Sequence, residues 1–387
     1  MSHSADVAPT PERAIVSVGV LTASLPLAQS FQHASSGLID RLEEVVVKVG
    51  LADGTVGWGE VRGNAPYVTG ETQSRIVAAL SDVHAPAVVA TRPTTPTALN
   101  RLLAGLAMGN SSARAAVSIA AEDAWARQAG LPLQAMLGAG DVKTVRVHGT
   151  IPFCAPDEAA RRAERYLDIG IRRIKQRVGL SFEEDVARMR AIGDVLKNHP
   201  AGPEAEIAAD ANQAWNAKEA LRRIATFERL GLAFLEQPVR AADIRGLKEV
   251  RDGAGIPIIA DESVGTPGTL MQVIEAGAAD GFHFKLVKAG GPRQLMGMVA
   301  IAEAAGLGYM MGQMDEGQLA TAAALHCAAA SNPFSCELWG FQRVGSQPFS
   351  GLEFVDGTIR LPDGPGLGIT IDEDGLTPVA HFGTPFA

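Results

Sequence analysis

Apolar and polar positions change rhythm twice along this chain. Residues 14–25 and 42–51 alternate as antiparallel strands do, and Ala52-Asp53-Gly54-Thr55 supplies a tight turn before Val56. Over 73–85, 95–108 and 112–129 the apolar residues recur instead at three- and four-residue steps, the spacing of amphipathic helices. Strands followed by helices predict a small α+β domain over 1–135. From Val145 onward short apolar strands recur, at 173–178, 207–209, 233–235, 257–260, 281–286 and 307–311. Helix-like stretches at 182–197, 217–230, 269–276 and 292–305 separate them. This alternation predicts βαβ units and a parallel sheet. A unit of about 25 residues fits roughly seven or eight times before Trp339, which predicts a (β/α) TIM-type barrel over 136–350. The remainder, 351–387, returns to strands and turns and is expected to pack back on the first domain.

Composition narrows the class. Of 387 residues, 47% are hydrophobic and 20% charged, enough for a large core and against wholesale disorder. A net charge of −9 argues against a nucleic-acid partner but leaves room for a small anionic substrate, since a local cation can dominate a pocket. Cys154, Cys327 and Cys336 form no paired framework and no CxxC spacing, which fits a reducing compartment. Residues 1–11 lack the basic and apolar regions of a leader, and no apolar run approaches the roughly 20 residues that span a bilayer. The expectation is a cytoplasmic protein with no membrane partner.

Candidate chemistry sits at the strand ends. Asp210, Glu236, Asp261 and Lys285 each end or closely follow an apolar strand, at separations of 26, 25 and 24 residues, one strand–helix unit each. In a parallel barrel such positions stand side by side on the carboxyl-terminal rim, where barrel active sites lie. Three carboxylates brought together repel one another unless a hard cation lies between them, and oxygen ligands suit Mg²⁺, with Mn²⁺ a substitute. Lys285, inside Phe282-His283-Phe284-Lys285-Leu286-Val287, is costly to bury unless it has a partner or a function. Near a metal it is a candidate general base; the alternative is a buried stem with its head in solvent. Lys288 is expected beyond the strand, facing solvent or a loop. Lys175 and Arg177, two apart on one strand, share a face, either toward the rim or outward to the helices.

Together, Lys175-x-Arg177, Asp210-Ala-Asn212, Glu236-Gln237-Pro238, Asp261-Glu262-Ser263 and Lys285 followed by Gly290-Gly291 resemble the enolase superfamily, in its muconate lactonizing enzyme subgroup. Gly57-Trp58-Gly59-Glu60 and Gly364-Pro365-Gly366-Leu367-Gly368 extend the likeness over nearly the whole chain. The resemblance implies an α+β capping domain over a modified barrel, with Mg²⁺ held by Asp210, Glu236 and Asp261 and Glu262 supporting them from behind. It implies a small carboxylate substrate, removal or delivery of its α-proton through an enediolate, and a homo-oligomer. Lys285 would stand on one face of the substrate, and Asn212 beside it. On the other face the family usually offers the second lysine of a Lys-x-Lys pair. Here that residue is Arg177, a poor proton carrier and a good anion clamp, so one-base chemistry fits better, with Lys175 a second cation.

Gly312-Gln313-Met314-Asp315-Glu316-Gly317 is similar to the Met-x-Glu-Gly of muconate and chloromuconate cycloisomerases, which makes Glu316 a candidate catalytic acid or else a solvated loop acid. Cys336-Glu337-Leu338-Trp339-Gly340 is similar to their Glu-Leu-Phe-Gly. The Asp-x-Asp expected of dipeptide epimerases is absent there, which counts against a dipeptide substrate. Asp315 has no assignment. Segments 30–37 and 66–72 read as loops of the capping domain that touch substrate, with Phe31, His33 and Tyr67 as contacts; an exposed loop histidine is the other reading of His33. The leading expectation is cycloisomerase-like proton chemistry. A racemase or epimerase of an amino-acid derivative, a dehydratase of a hydroxy acid, and a carboxylate-binding barrel without turnover are the alternatives.

Overall fold

The structure is a computed structural model that describes residues 11–31 and 37–386. Three antiparallel strands open it: β1 (Ile15–Phe31), β2 (Ile39–Leu51) and β3 (Val56–Arg62). β1 runs past Leu25 to Phe31, still paired with Arg41 and Ile39 of β2, but most side chains of this outer part face solvent and leave no apolar alternation to read. Four helices of seven residues or more follow: α1 (Gln73–Ala79), α2 (Ala85–Thr91), α3 (Pro96–Leu106) and α4 (Ser111–Gln128). The helix predicted over 73–85 runs on to Thr91 through a π turn at Leu80–His84. Pro86 explains the wider turn, because it has no N–H for the carbonyl of Asp82 four residues back. α4 is buried along nearly its whole length and lies against β3. Gly57 and Gly59 permit the approach: a Cβ on either would run into the α4 backbone at Ala116, Ala120 and Ala124.

The second layer is an eight-stranded parallel sheet in strict chain order: β4 (Gly149–Ile151), β5 (Arg173–Arg177), β6 (Glu206–Asp210), β7 (Leu232–Glu236), β8 (Ile258–Ala260), β9 (Gly281–Lys285), β10 (Gly308–Gly312) and β11 (Ser335–Glu337). The backbone N–H of His148 donates to Cys336 O (2.9 Å), so the first and last strands meet and the barrel nearly closes. Seven helices of ten residues or more connect the strands: α5 (Pro156–Asp168), α6 (Phe182–Asn198), α7 (Ala217–Arg229), α8 (Ile244–Gly253), α9 (Pro267–Ala276), α10 (Pro292–Ala304) and α11 (Gln318–Ala329). Ser181, Asn216, Asp243 and Thr266 cap four of them by accepting from a backbone N–H in the first turn, which starts each helix a few residues past its strand. Ala208, Phe234, Ile259 and Met310, from four strands, form a small buried cluster of their own. The larger core packs the helices on the outside of the sheet and α4 against β3.

The fold is therefore the modified TIM-type barrel with an α+β domain that the sequence predicted. Near the C-terminus, β12 (Thr377–Gly383) pairs antiparallel with β1, from Ser17↔Gly383 to Thr22↔Thr377. Among the described residues no helix is long and apolar enough to cross a membrane.

Candidate active site

Strand register builds the site. Arg177 pairs with Asp210, Asp210 with Glu236, Lys285 with Gly312, and Gly312 with Glu337, so these residues lie at one level around the carboxyl-terminal rim. Asp261 follows β8 directly. Asp210, Glu236, Asp261, Lys175, Arg177 and Lys285 are all buried.

Each acid has a cation against it. Lys175 Nζ donates to Glu236 Oε2 (2.8 Å) and Glu337 Oε2 (2.6 Å) and lies 3.6 Å from Asp210 Oδ2. Arg177 Nη1 donates to Asp210 Oδ2 and to Asn212 Oδ1 (2.9 Å), and Nη2 is 3.6 Å from Glu337 Oε1. Lys285 bonds Asp261 Oδ2. Both Lys175 and Arg177 thus point to the rim, not outward. Lys288 is a correction: it does not face solvent but is buried, bonding Asp261 Oδ1, Asp261 O (2.6 Å) and His283 O (2.9 Å). The four-residue helix Leu286–Ala289, ended by Gly290 at φ 91°, folds it back under the rim.

The ring is held from behind. Gln237 Oε1 accepts from the N–H groups of Asp261 (2.9 Å) and Ser263 (3.1 Å), and its Nε2 donates to Ser263 Oγ (2.8 Å), tying β7 to the segment after β8. That is a physical reason for Glu236-Gln237-Pro238 beside Asp261-Glu262-Ser263. His283, two residues before Lys285 on β9 and facing the same side, meets Glu236 Oε1 through Nδ1 (2.7 Å). Burial, then the charge of Lys285, push its pKa well below the ordinary value, so the ring is neutral and Nδ1 carries the proton that Glu236 accepts.

The acids differ in charge state. Burial and the neighbouring Glu236 push Asp210 up to about 6. Burial also raises Glu236, with Lys175 opposing and Asp261 and Glu337 adding to the rise. Asp261 is held well below the usual range despite its burial, by the charges of Lys285 and Lys288. Burial and then Asp261 push the half-buried Glu262 up to about 8, and its carboxyl has no hydrogen-bond partner. It therefore makes no direct bond to the acids it was expected to support.

The residues fit a hard divalent ion. The group whose ligand atoms already lie within 4.8 Å of one another is Glu236, His283 and Glu337, but its nitrogen is a poor donor for Mg²⁺. Asp210, Glu236 and Asp261 offer oxygens from three consecutive strand ends. Burial first, and the charges of neighbouring acids after it, raise Asp210 and Glu236, a crowding of carboxylates that a cation among them would relieve.

A small pocket opens on this rim, lined by Asn212, Arg177, Asp261, Lys285, Glu337 and Asp315, with Tyr67 and Val68 reaching in from the first domain. Its free space is about 20 Å³, room for roughly one water with the cations folded onto the acids. Phe31 does not line it; its ring lies under the guanidinium groups of Arg62 (5.6 Å) and Arg343 (5.8 Å). His33 lies outside the described residues. Glu316 does not line the pocket either. It turns toward the first domain, near Arg62, Glu44 and Glu60, where burial pushes it up to about 7. Asp315 takes φ +56°, reversing the chain so that Asp315 faces the pocket and Glu316 does not.

Sequence reasoning missed Glu337 as a site residue. It accepts from Thr150 Oγ1 (2.7 Å) as well as from Lys175. It had noted only the likeness of the Glu337-Leu338-Trp339 segment; pairing that residue in register with the Lys285 strand would have needed β11 to be recognised.

Comparison with known proteins places this architecture. The family model "Mandelate racemase / muconate lactonizing enzyme, N-terminal domain" matches residues 16–138, and "Enolase C-terminal domain-like" matches residues 158–375. The chain is 35% identical over 360 residues to the L-Ala-D/L-Glu epimerase of Bacillus subtilis, covering 92% of this chain and 96% of that one. It is 33% identical over 342 residues to muconate cycloisomerase 1-2 of Acinetobacter lwoffii, covering 85% and 86%. The crystal structure of a dipeptide epimerase from Enterococcus faecalis V583, complexed with Mg and the dipeptide L-Leu-L-Tyr, superposes with a TM-score of 0.86 at 28% identity, covering 92% of this chain and 99% of that one. With both family models matched, and epimerases and cycloisomerases as relatives, the chain belongs to the enolase superfamily, as an enzyme of its mandelate racemase/muconate lactonizing enzyme group.

Proposed function

We propose that the protein moves the proton α to a substrate carboxylate from one face, through an enediolate, with Lys285 as the base that takes or returns it. The observation that carries this reading is the asymmetry of the rim. Lys285 offers an amine to the pocket on one side, while Arg177 on the other is a guanidinium fixed between Asp210 and Asn212. Asp210, Glu236 and Asp261 would hold Mg²⁺, with Mn²⁺ a substitute, and the ion would supply Lewis-acid stabilisation of the charge that builds on the substrate carboxylate. Lys175 and Arg177 add fixed positive charge near that carboxylate, Asn212 orients it, and Tyr67 closes the pocket from the first domain. Glu262 and Glu316, which do not line the pocket, receive no step.

Cycloisomerase-like chemistry uses such one-sided proton traffic. A second reading, 1,1-proton transfer at an amino-acid derivative, is favoured by the 35% identity to an epimerase and would require Lys175 to exchange protons from between Glu236 and Glu337. The test is deuterium uptake from D₂O by a panel of carboxylic acids with Mg²⁺. Lys285→Ala is expected to lower exchange by about 10²–10⁴-fold while Mg²⁺ still stabilises the protein. Undiminished exchange in that variant sinks the assignment, and label entering from both faces in the native enzyme selects the epimerase reading.

We also propose the division into a capping domain (1–135), a barrel (136–350) and a tail (351–387), supported by the pairing of β12 with β1. A cytoplasmic enzyme is supported by three free cysteines, and a homo-oligomer by family resemblance alone.

A further inference from the structure

The barrel has a seam. Among the described residues β4 and β11, its first and last strands, form no ladder with each other, and the backbone bridges them at His148 N, which donates to Cys336 O (2.9 Å). Side chains carry the rest of the closure. His148 and Thr150 stand two residues apart and share a face, as do Ser335 and Glu337 opposite them. They meet as two rungs: His148 Nδ1 lies 2.8 Å from Ser335 Oγ, and Thr150 Oγ1 donates to Glu337 Oε1 (2.7 Å). The second rung is braced from behind, because Thr150 O accepts from Tyr166 Oη (2.9 Å) and from Arg343 Nη2 (2.9 Å).

The tautomer of His148 decides what the first rung does. The ring is buried, and its Nε2 has no hydrogen-bond partner but lies 3.6 Å from Glu337 Oε1. Burial pushes its pKa down to about 4, against the pull of Glu337, so the ring is neutral and one nitrogen carries the proton. With the proton on Nδ1, a bare lone pair on Nε2 would face the Glu337 carboxylate in a dry site. With the proton on Nε2, the N–H dipole turns its positive end to Glu337, and Ser335 Oγ donates to Nδ1. The second arrangement is favourable at both ends of the ring. A neutral ring also steadies Glu337 without cancelling its charge, and that charge is what holds Lys175 (2.6 Å from Oε2) and Arg177 (Nη2 3.6 Å from Oε1).

We propose that Ser335 and His148 are positioning residues: Ser335 fixes His148 with its proton on Nε2, His148 fixes the Glu337 carboxylate, and Glu337 sets Lys175 and Arg177 to face the substrate carboxylate. The last step rests on the proposed function; the others are properties of the seam.

Long-range nitrogen–proton spectra of protein carrying isotope-labelled histidine read the tautomer. His148 is expected as the neutral Nε2–H form, and Ser335→Ala is expected to release it to a mixture of both forms. An amide can stand in for either nitrogen: glutamine reaches the place of Nε2, asparagine that of Nδ1. Both lose the packing of the ring, so a difference between them reports the contact with Glu337. In deuterium exchange with Mg²⁺, on a carboxylate that the native enzyme exchanges, His148→Asn and Ser335→Ala are expected to raise KM about 10-fold with kcat within about 2-fold, since Lys175 and Arg177 grip the carboxylate before and during the reaction alike. His148→Gln is expected to stay near native. An Nδ1–H ring in the native protein, or equal KM values for the Asn and Gln variants, overturns the proposal. A native enzyme that exchanges no carboxylate sinks the proton chemistry instead. The seam is then read from the ammonium protons of Lys175, which are expected to exchange with water about 10-fold faster in His148→Asn than in His148→Gln, and equal rates overturn it.

Discussion

Glu122 lies where α4 of the first domain meets the start of α10 of the barrel, 2% exposed. Its Oε1 accepts from Ser118 Oγ (3.1 Å) and from Arg293 N (3.4 Å); Arg293 supplies a nearby charge from α10, and Cys327 of α11 lies close enough to feel the carboxylate. Burial pushes its pKa from 4.5 up to about 7. The folded chain therefore binds this proton more tightly than the unfolded chain does. Its contribution is favourable below pH 4.5, where both states are protonated, and is lost as pH rises toward 7, because ionising the folded form means charging a dry site. A shift of this size corresponds to about 3 kcal/mol between those limits. Glu122→Gln keeps the acceptor oxygen and cannot ionise. Urea denaturation at pH 5 and pH 8 is expected to give a variant more stable than the native protein by no more than about 1 kcal/mol at pH 5 and by about 3 kcal/mol at pH 8. Parallel stability curves for the two proteins between pH 5 and 8 would refute the reasoning, since Glu122 would then ionise as easily folded as unfolded.

Two further expectations concern the rim. Chelation should abolish deuterium exchange and lower the thermal midpoint, with Mg²⁺ at 100 times its Kd restoring about 2.7 kcal/mol; Asp210→Asn should shrink that shift, and a midpoint indifferent to Mg²⁺ would leave the acids without an ion to hold. Gly312→Ala should cost about 10²-fold in exchange with the far-ultraviolet spectrum unchanged, because the new methyl would overlap His283 Nε2 while Glu236 anchors the opposite side of that ring; full activity would mean the imidazole swings freely.

The spacing of Asp210, Glu236, Asp261 and Lys285 was legible because each ends a strand of a repeating unit, and a parallel barrel turns equal spacing into a common level. His283 could have been found by the same argument, since it sits two residues before Lys285. Three things were not legible. β4 (Gly-Thr-Ile) and β11 (Ser-Cys-Glu) carry no apolar run, unlike the equally short β8 (Ile-Ile-Ala), so Thr150 and Glu337 had no strand to place them. Lys288 looked exposed because a single turn of helix carries no face to read, yet Gly290 in the left-handed region ends that turn and the amine comes back to Asp261. Glu316 and Asp315 exchanged places for a backbone reason: the positive φ at Asp315 is a tertiary outcome that no residue pattern announces.

The same rim also explains why an arginine suits position 177. Its guanidinium spans three oxygens at once, on Asp210, Asn212 and Glu337, which lie in different directions from the strand end. A lysine ammonium on a flexible stem would meet them in turn, at a larger entropy cost for each bond. A guanidinium also stays charged throughout any proton transfer at neutral pH. On the proposed one-base reading, an arginine where the family usually offers a lysine makes one face of the pocket a permanent field instead of a proton source. A permanent field on one side lowers the energy of a developing carboxylate dianion without competing for its proton. On that proposed reading, stereochemistry is set from the other side, where the amine of Lys285 stands.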